Sequence, residues 1–182
     1  MKLKMRPEQR AALSVIFLGA ALAALFCSGK LILNTTASVP IGLWWRIDGP
    51  LTLGDVVRVP IEAFKATDWV PEVYWRKNAW GRPKAFLKRV AGLPGNIIEA
   101  GEYGLLRING HLISNSAPLS ADRAGRPLKA YPLPLQLESD EIWLLSDSPR
   151  GFDSRYLGPA QLPKNHKFIP LVTLIVPKVN SN

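Results

Sequence analysis

Between Arg10 and Lys30 the chain runs for nineteen residues without a charge, AALSVIFLGAALAALFCSG. As a helix rising about 1.5 Å per residue, the run covers roughly 28 Å, close to the hydrocarbon core of a bilayer. Whatever follows must therefore fold beside a membrane or be released from it. Lys2, Lys4, Arg6 and Arg10 precede the run. The positive-inside rule then leaves residues 1–10 as a cytoplasmic basic tail and places everything after Lys30 across the membrane. A retained transmembrane anchor over residues 11–33 is the expectation, and a cleaved signal peptide is the alternative. Thr35-Thr36-Ala37 looks like a small-residue cleavage motif, but it lies far beyond the run. A lipoprotein is disfavoured, because Phe26 precedes Cys27 where a small residue is needed.

The rest of the chain has a different character. Sixteen prolines and fourteen glycines in 182 residues argue for many turns and short elements, against a helical bundle. Hydrophobic residues make up 47%, enough for a packed core in one domain over residues 34–182. The net charge of +9 would ordinarily raise nucleic acid as a partner. However, it is spread along the chain beyond the basic tail without a dense block, so no nucleic acid is expected. A membrane-facing basic surface, with membrane lipid as partner, fits at least as well. Cys27 is the single cysteine, so no intrachain disulfide can form.

Short β-type runs separated by turn signals follow residue 34. They are GDVVRV (54–59), AFLKRVAG (85–92), NIIEA (96–100), GLLRI (104–108), DEIWLLS (140–146) and PLVTLIV (170–176). Asn109-Gly110, between LLRI and HLIS, is a strong type I′ hairpin signal. The pattern predicts a mainly β, antiparallel, barrel-like or folded sheet. The stretch 69–83 does not alternate cleanly. Its aromatic rings beside basic side chains fit either the membrane interface or a partly buried insertion.

Familiar catalytic patterns are missing from the sequence. There is no HExxH, cysteine cluster or glycine-rich phosphate loop, and neither His111 nor His166 stands in a suggestive setting. No metal or cofactor is expected. A serine hydrolase can nonetheless use a lysine amine as its base, provided burial keeps the amine neutral. Such a lysine belongs in a hydrophobic strand. Lys88, in AFLKRVAG, has that setting, and alternation sends it and Arg89 to opposite faces. On composition alone, a solvated strand lysine is the commoner outcome.

The combination of motifs is more specific. AFLKRVAGLPG (85–95) resembles the lysine box of type I signal peptidases, and SVPIGLWW, preceded by NTTA, resembles the nucleophile box of their conjugative-transfer, TraF-type branch. GDVVRV resembles the strand that follows that box. LLRINGHLIS resembles the family's strand–Asn-Gly–strand unit, and LLSDSPRGFDSRYLGP (144–159) resembles its last box. The resemblances fall in the family's order. They imply an antiparallel signal-peptidase-like β domain behind one transmembrane helix.

Residue by residue, the resemblance implies that Ser38 is the nucleophile and Lys88 the general base. The Thr36 hydroxyl would join the Ser38 backbone N–H in holding the oxyanion. Asp153 and Arg155 would brace the site, with Asp153 also placed to act on Lys88 by charge. The sequence departs from the family at Asn96, where an aspartate is usual, and at Ser146, where a glycine is usual. Two positions compete for the hydroxyl that orients the lysine: Ser148, and residue 151, which here is a glycine. The expected function is a membrane-anchored Ser/Lys endopeptidase of the periplasmic face. It would mature an exported, pilin-like precursor in conjugative transfer, with cyclisation of the pilin as a further outcome. The alternatives are a general type I signal peptidase, a non-catalytic pilus-assembly scaffold of the same fold, and a basic nucleic-acid-binding β domain.

Overall fold

The structure is a computed structural model that describes residues 6–66, 68–75, 85–161 and 166–174. It begins with helix α1 (Pro7–Cys27), 21 residues long, none of them buried against the rest of the chain. Pro7 suits the first helical turn, where its missing N–H has no partner to lose. Among the described residues, this is the one helix long and apolar enough to cross a membrane. It stops at Cys27, and Leu31–Leu33, assigned to the anchor from the sequence, begin strand β1 (Leu31–Asn34) instead. Only three residues separate helix from strand, and the last of them, Lys30, accepts a backbone hydrogen bond from Arg46 at 2.8 Å.

The remaining elements follow in chain order: β2 (Gly42–Asp48), β3 (Val56–Pro60), α2 (Glu72–Trp75), β4 (Ala85–Gly92), β5 (Ile97–Ala100), β6 (Leu106–Ile108), β7 (His111–Leu112), β8 (Leu135–Gln136), β9 (Glu141–Leu145), α3 (Ser154–Leu157), β10 (Ala160–Gln161) and β11 (His166–Thr173). Two antiparallel sheets result. The larger has the order β1-β2-β11-β3-β4-β9-β10 and the smaller β7-β6-β5-β8. The fold is therefore mainly antiparallel β with one N-terminal apolar helix.

Alternation in β4 decides what faces where. Leu87 packs with Val39, Trp44, Val56 and Phe168, while Val90 joins Val57, Val59, Ile142, Leu144 and Tyr156 on the other side. Lys88 shares the Val90 face and lies opposite Val57 in the ladder. The small sheet closes its own core around Ile98, Leu106, Ile108 and Trp143. Asn109 and Gly110 both take positive φ, 48° and 79°, as a type I′ turn requires.

Gly42 has a different reason. Its φ is 151°, and a Cβ built there would overlap the backbone of Val172 and Thr173. A glycine lets β11 close onto the start of β2 where the pairing register shifts between Pro170 and Val172. Of the aromatic-basic stretch, Trp69 and Tyr74 pack on Phe152, Tyr74 stacked at 4.1 Å between centroids. Trp80 and Arg82 lie outside the described residues.

Candidate active site

The loop between β1 and β2 carries Ser38. A turn of this length needs internal ties, and Asn34 supplies them. Its buried amide nitrogen donates to the carbonyls of Thr36 (2.8 Å), Val39 (2.9 Å) and Pro40 (3.1 Å). Trp44 Nε1 also donates to Pro40 O, at 3.0 Å, and Val39 is sunk into the core. Ser38 is left half-buried at the edge of a cavity.

Two hydroxyls meet here. Thr36 Oγ1 lies 2.8 Å from Ser38 Oγ and donates to Asn34 Oδ1 at 3.1 Å. An amide oxygen only accepts, so the single Thr36 proton is committed to Asn34. The Ser38 hydroxyl must then donate to Thr36. Thr36 thus holds the serine oxygen in one orientation while its own proton stays within the same small network.

Lys88 is 3% exposed. Its Nζ stands 5.3 Å from the Phe86 ring centroid and donates to Ser146 Oγ at 2.6 Å. The next residue along each segment forms a second link. Arg89 donates in a fork to both carboxylate oxygens of Asp147, each at 2.8 Å. The Asp147 N–H then donates to the Ser38 carbonyl at 2.8 Å. Consecutive residues of β4 therefore hold the two residues that follow β9, and Asp147 holds the loop that carries Ser38.

Asp153 and Arg155 lie beneath this layer, 0% and 2% exposed. Arg155 donates through Nε to Asp153 Oδ1 and through a terminal nitrogen to Oδ2, both at 2.8 Å. Burial works against the charge on Arg155, but hydrogen bonding to Asp153 outweighs it and raises its pKa. Asp153 Oδ2 also accepts the Ser146 N–H at 2.9 Å. The carboxylate is thus engaged by Arg155 and reaches Lys88 through Ser146. Arg155 further donates to the carbonyls of Pro149 (2.8 Å) and Gly151 (2.9 Å), which fixes the 148–151 turn.

The hydroxyl that meets Lys88 is that of Ser146, whereas Ser148 Oγ accepts the Arg150 N–H at 3.3 Å. Gly151 explains the exchange. A Cβ at residue 151 would overlap the Ser146 side chain, so a glycine there leaves room for the hydroxyl at 146. The departures from the expected boxes at 146 and 151 are two halves of one arrangement. Sequence reading missed Ser146 because a serine at a strand end carries no periodic signal. The glycine at 151 was the available clue. Asn34 carries a signal of its own, since an Asn before small hydroxyl residues is a known device for tying a turn.

Ser38, Thr36, Asn34, Lys88, Ser148 and Gly151 all line one cavity of about 640 Å³. Neither histidine does. A serine hydroxyl, a buried lysine and an adjacent hydroxyl donor in one cavity can support acyl transfer to serine.

A family model described as signal peptidase, peptidase S26, matches residues 10–168. The chain belongs to that family. Among its relatives are two plasmid transfer proteins TraF from Escherichia coli. The first is 33% identical over 158 residues, 83% of this chain and 88% of the relative; the second is 35% identical over 130 residues, 69% of this chain and 73% of the relative. A conjugal transfer protein TraF of Agrobacterium tumefaciens (strain 15955) is 31% identical over 76% of this chain and 80% of its own. The crystal structure of a signal peptidase I from Enterococcus faecalis V583 is similar at a TM-score of 0.38 and 20% identity, covering 63% of this chain and 92% of that one. Membership of the S26 family makes the cavity around Ser38 and Lys88 the place to look for signal-peptidase chemistry.

Proposed function

We propose that the chain is a membrane-anchored serine endopeptidase that works through Ser38 and Lys88 and matures an exported, pilin-like precursor in conjugative transfer. The reading rests on one observation above all: Ser38 and Lys88 come from separate boxes of the sequence and line the same cavity. A scaffold of this fold needs neither residue there. The names of the TraF relatives supply the conjugative setting. The apolar α1 and the basic residues before it support a single-pass inner-membrane protein with the body on the periplasmic side.

In this mechanism the neutral Lys88 amine takes the Ser38 proton as Oγ attacks the scissile carbonyl. The developing oxyanion is held by the Ser38 N–H and by the Thr36 hydroxyl, which turns its proton away from Asn34. Lys88, kept in line by Ser146, returns the proton to the leaving amine. Water then attacks the acyl-enzyme. An amine of the precursor attacking in place of water would close the product into a ring.

The test is to co-express candidate pilin precursors with wild type and with Ser38→Ala and to read the products by intact mass. Wild type should give a shortened product, of hydrolytic or cyclic mass, that is absent with Ser38→Ala. Equal processing by both would refute the proposal.

A further inference from the structure

Building on the peptidase reading, we infer that the cavity takes a precursor segment with an acidic side chain within a few residues of the scissile bond. The argument comes from what the cavity wall leaves unbalanced. Among the described residues, its charged side chains are Arg58, Lys88, Asp122, Arg123, Arg126 and Arg150, with Asp122 the one carboxylate. That carboxylate is already used. Oδ2 accepts from Arg126 Nε at 2.6 Å and from the Tyr74 hydroxyl at 3.1 Å, and Oδ1 accepts the N–H groups of Ala124 and Arg126. Asp122 thus offsets Arg126. Among the described residues, neither Arg123 nor Arg150 has an ion-pair partner.

Both arginines stand on fixed stems. Arg123 sits in a turn closed by the Gly125 N–H to Asp122 O bond (3.1 Å) and by the Asp122 N–H to Arg126 O bond (3.0 Å). Arg150 sits in the 148–151 turn, closed by the Gly151 N–H to Ser148 O bond at 3.0 Å and held from below by Arg155. Their side chains remain exposed. The planar guanidinium is pre-organised for a forked bond to a carboxylate and loses less entropy per hydrogen bond than an ammonium would. Arg150 is three residues along the chain from Asp147, whose N–H holds the Ser38 carbonyl. Both arginines line the same cavity as Ser38 and Lys88. A lipid headgroup bound there would block the nucleophile, so a carboxylate on the peptide itself is the better match.

The experiment uses the full chain in phosphatidylcholine nanodiscs and fluorescent decapeptides of alanine and glycine. A single Glu is moved through the positions on either side of the central bond, with Gln and Lys versions as controls. Binding is read by anisotropy on Ser38→Ala, so no cleavage is needed. At low salt the best Glu peptide should bind roughly five- to tenfold tighter than its Gln version, with the advantage fading as salt rises. Arg123→Glu with Arg150→Glu should invert the preference toward Lys. The milder Arg123→Gln with Arg150→Gln should abolish it, with circular dichroism unchanged.

Equal binding of Glu and Gln peptides at every position would overturn the inference. So would a charge reversal that alters binding only in discs containing phosphatidylglycerol, which would assign the arginines to lipid. Charge-selective binding by Ser38→Ala without cleavage of the same peptides or of any precursor by wild type would keep acidic-peptide recognition by the cavity and sink the peptidase reading. Cleavage without charge preference would do the reverse.

Discussion

Lys88 Nζ donates to Ser146 Oγ at 2.6 Å, and the Ser146 side chain occupies the space that a side chain at residue 151 would need. The two positions are coupled by volume as well as by chemistry. Ser146→Ala should lower kcat by about a hundredfold, the cost of an ill-placed base, while leaving Tm within a degree or two. Gly151→Ser alone should be damaging, because both side chains then compete for one site. Ser146→Gly with Gly151→Ser should recover much of the loss, since a hydroxyl returns to the same space from the other chain segment. Purely additive effects in this double-mutant cycle, read by kcat and Tm, would mean that the two positions act independently.

Asn34 and Thr36 should separate architecture from catalysis. Thr36→Val keeps the shape and loses the hydroxyl, so kcat should fall by about 10²–10³-fold with the fold intact. Asn34→Asp turns two N–H donors into a carboxylate facing three carbonyls. Tm should drop, by the equivalent of about 1–3 kcal/mol, together with activity. Should Asn34→Asp retain wild-type stability, the amide would not be what ties the loop.

The buried pair of Asp153 and Arg155 predicts an asymmetry. Removing one partner leaves a charge without compensation, so Asp153→Ala or Arg155→Ala should each cost about 3–5 kcal/mol in denaturant unfolding. Replacing both with apolar residues of similar volume should cost less than either single change. Activity should fall with stability here, because Asp153 holds the N–H of Ser146, whose hydroxyl meets Lys88.

Asp122 gives a pH prediction with a definite sign. Burial raises its pKa, but hydrogen bonding from Arg126, Ala124 and Tyr74 outweighs this and brings it down to about 2. An unperturbed aspartate titrates near 3.9. A depressed carboxylate stabilises the fold fully above the unfolded value, and that contribution is lost as pH falls through the folded value. The Tm gap between wild type and Asp122→Asn should therefore be widest at neutral pH and close between about pH 4 and 2. A gap that stays constant over this range would show that the carboxylate charge plays no part.

Much of the β framework was legible because the strands announce themselves in period and punctuation. AFLKRVAG forms β4 over the same residues, 85–92, and Asn109-Gly110 turns the hairpin. Leu31–Leu33 were hidden because an apolar strand directly after an apolar helix shows no boundary in composition. GLWWRID was not read as a strand, since two tryptophans between Gly42 and Arg46 give no clean alternation. At the site, the boxes bring Ser38 and Lys88 to attention. The contacts of Ser146, Asn34 and Asp147 depend on how the end of β9 meets β4 and the loop before β2, and local sequence does not encode that meeting.

The strand order has a consequence for timing. In the large sheet the hairpin that introduces Ser38, β1–β2, is joined to the pair that carries Lys88, β3–β4, through β11, the last strand described. During synthesis Ser38 and Lys88 both emerge early. They can be docked in one sheet only after residues 166–173 have arrived between them. On the proposed peptidase reading, a nascent chain would therefore be unarmed until β11 has paired on both sides. The same order makes β11, far in sequence from both Ser38 and Lys88, the part whose loss would separate the two halves of the candidate site.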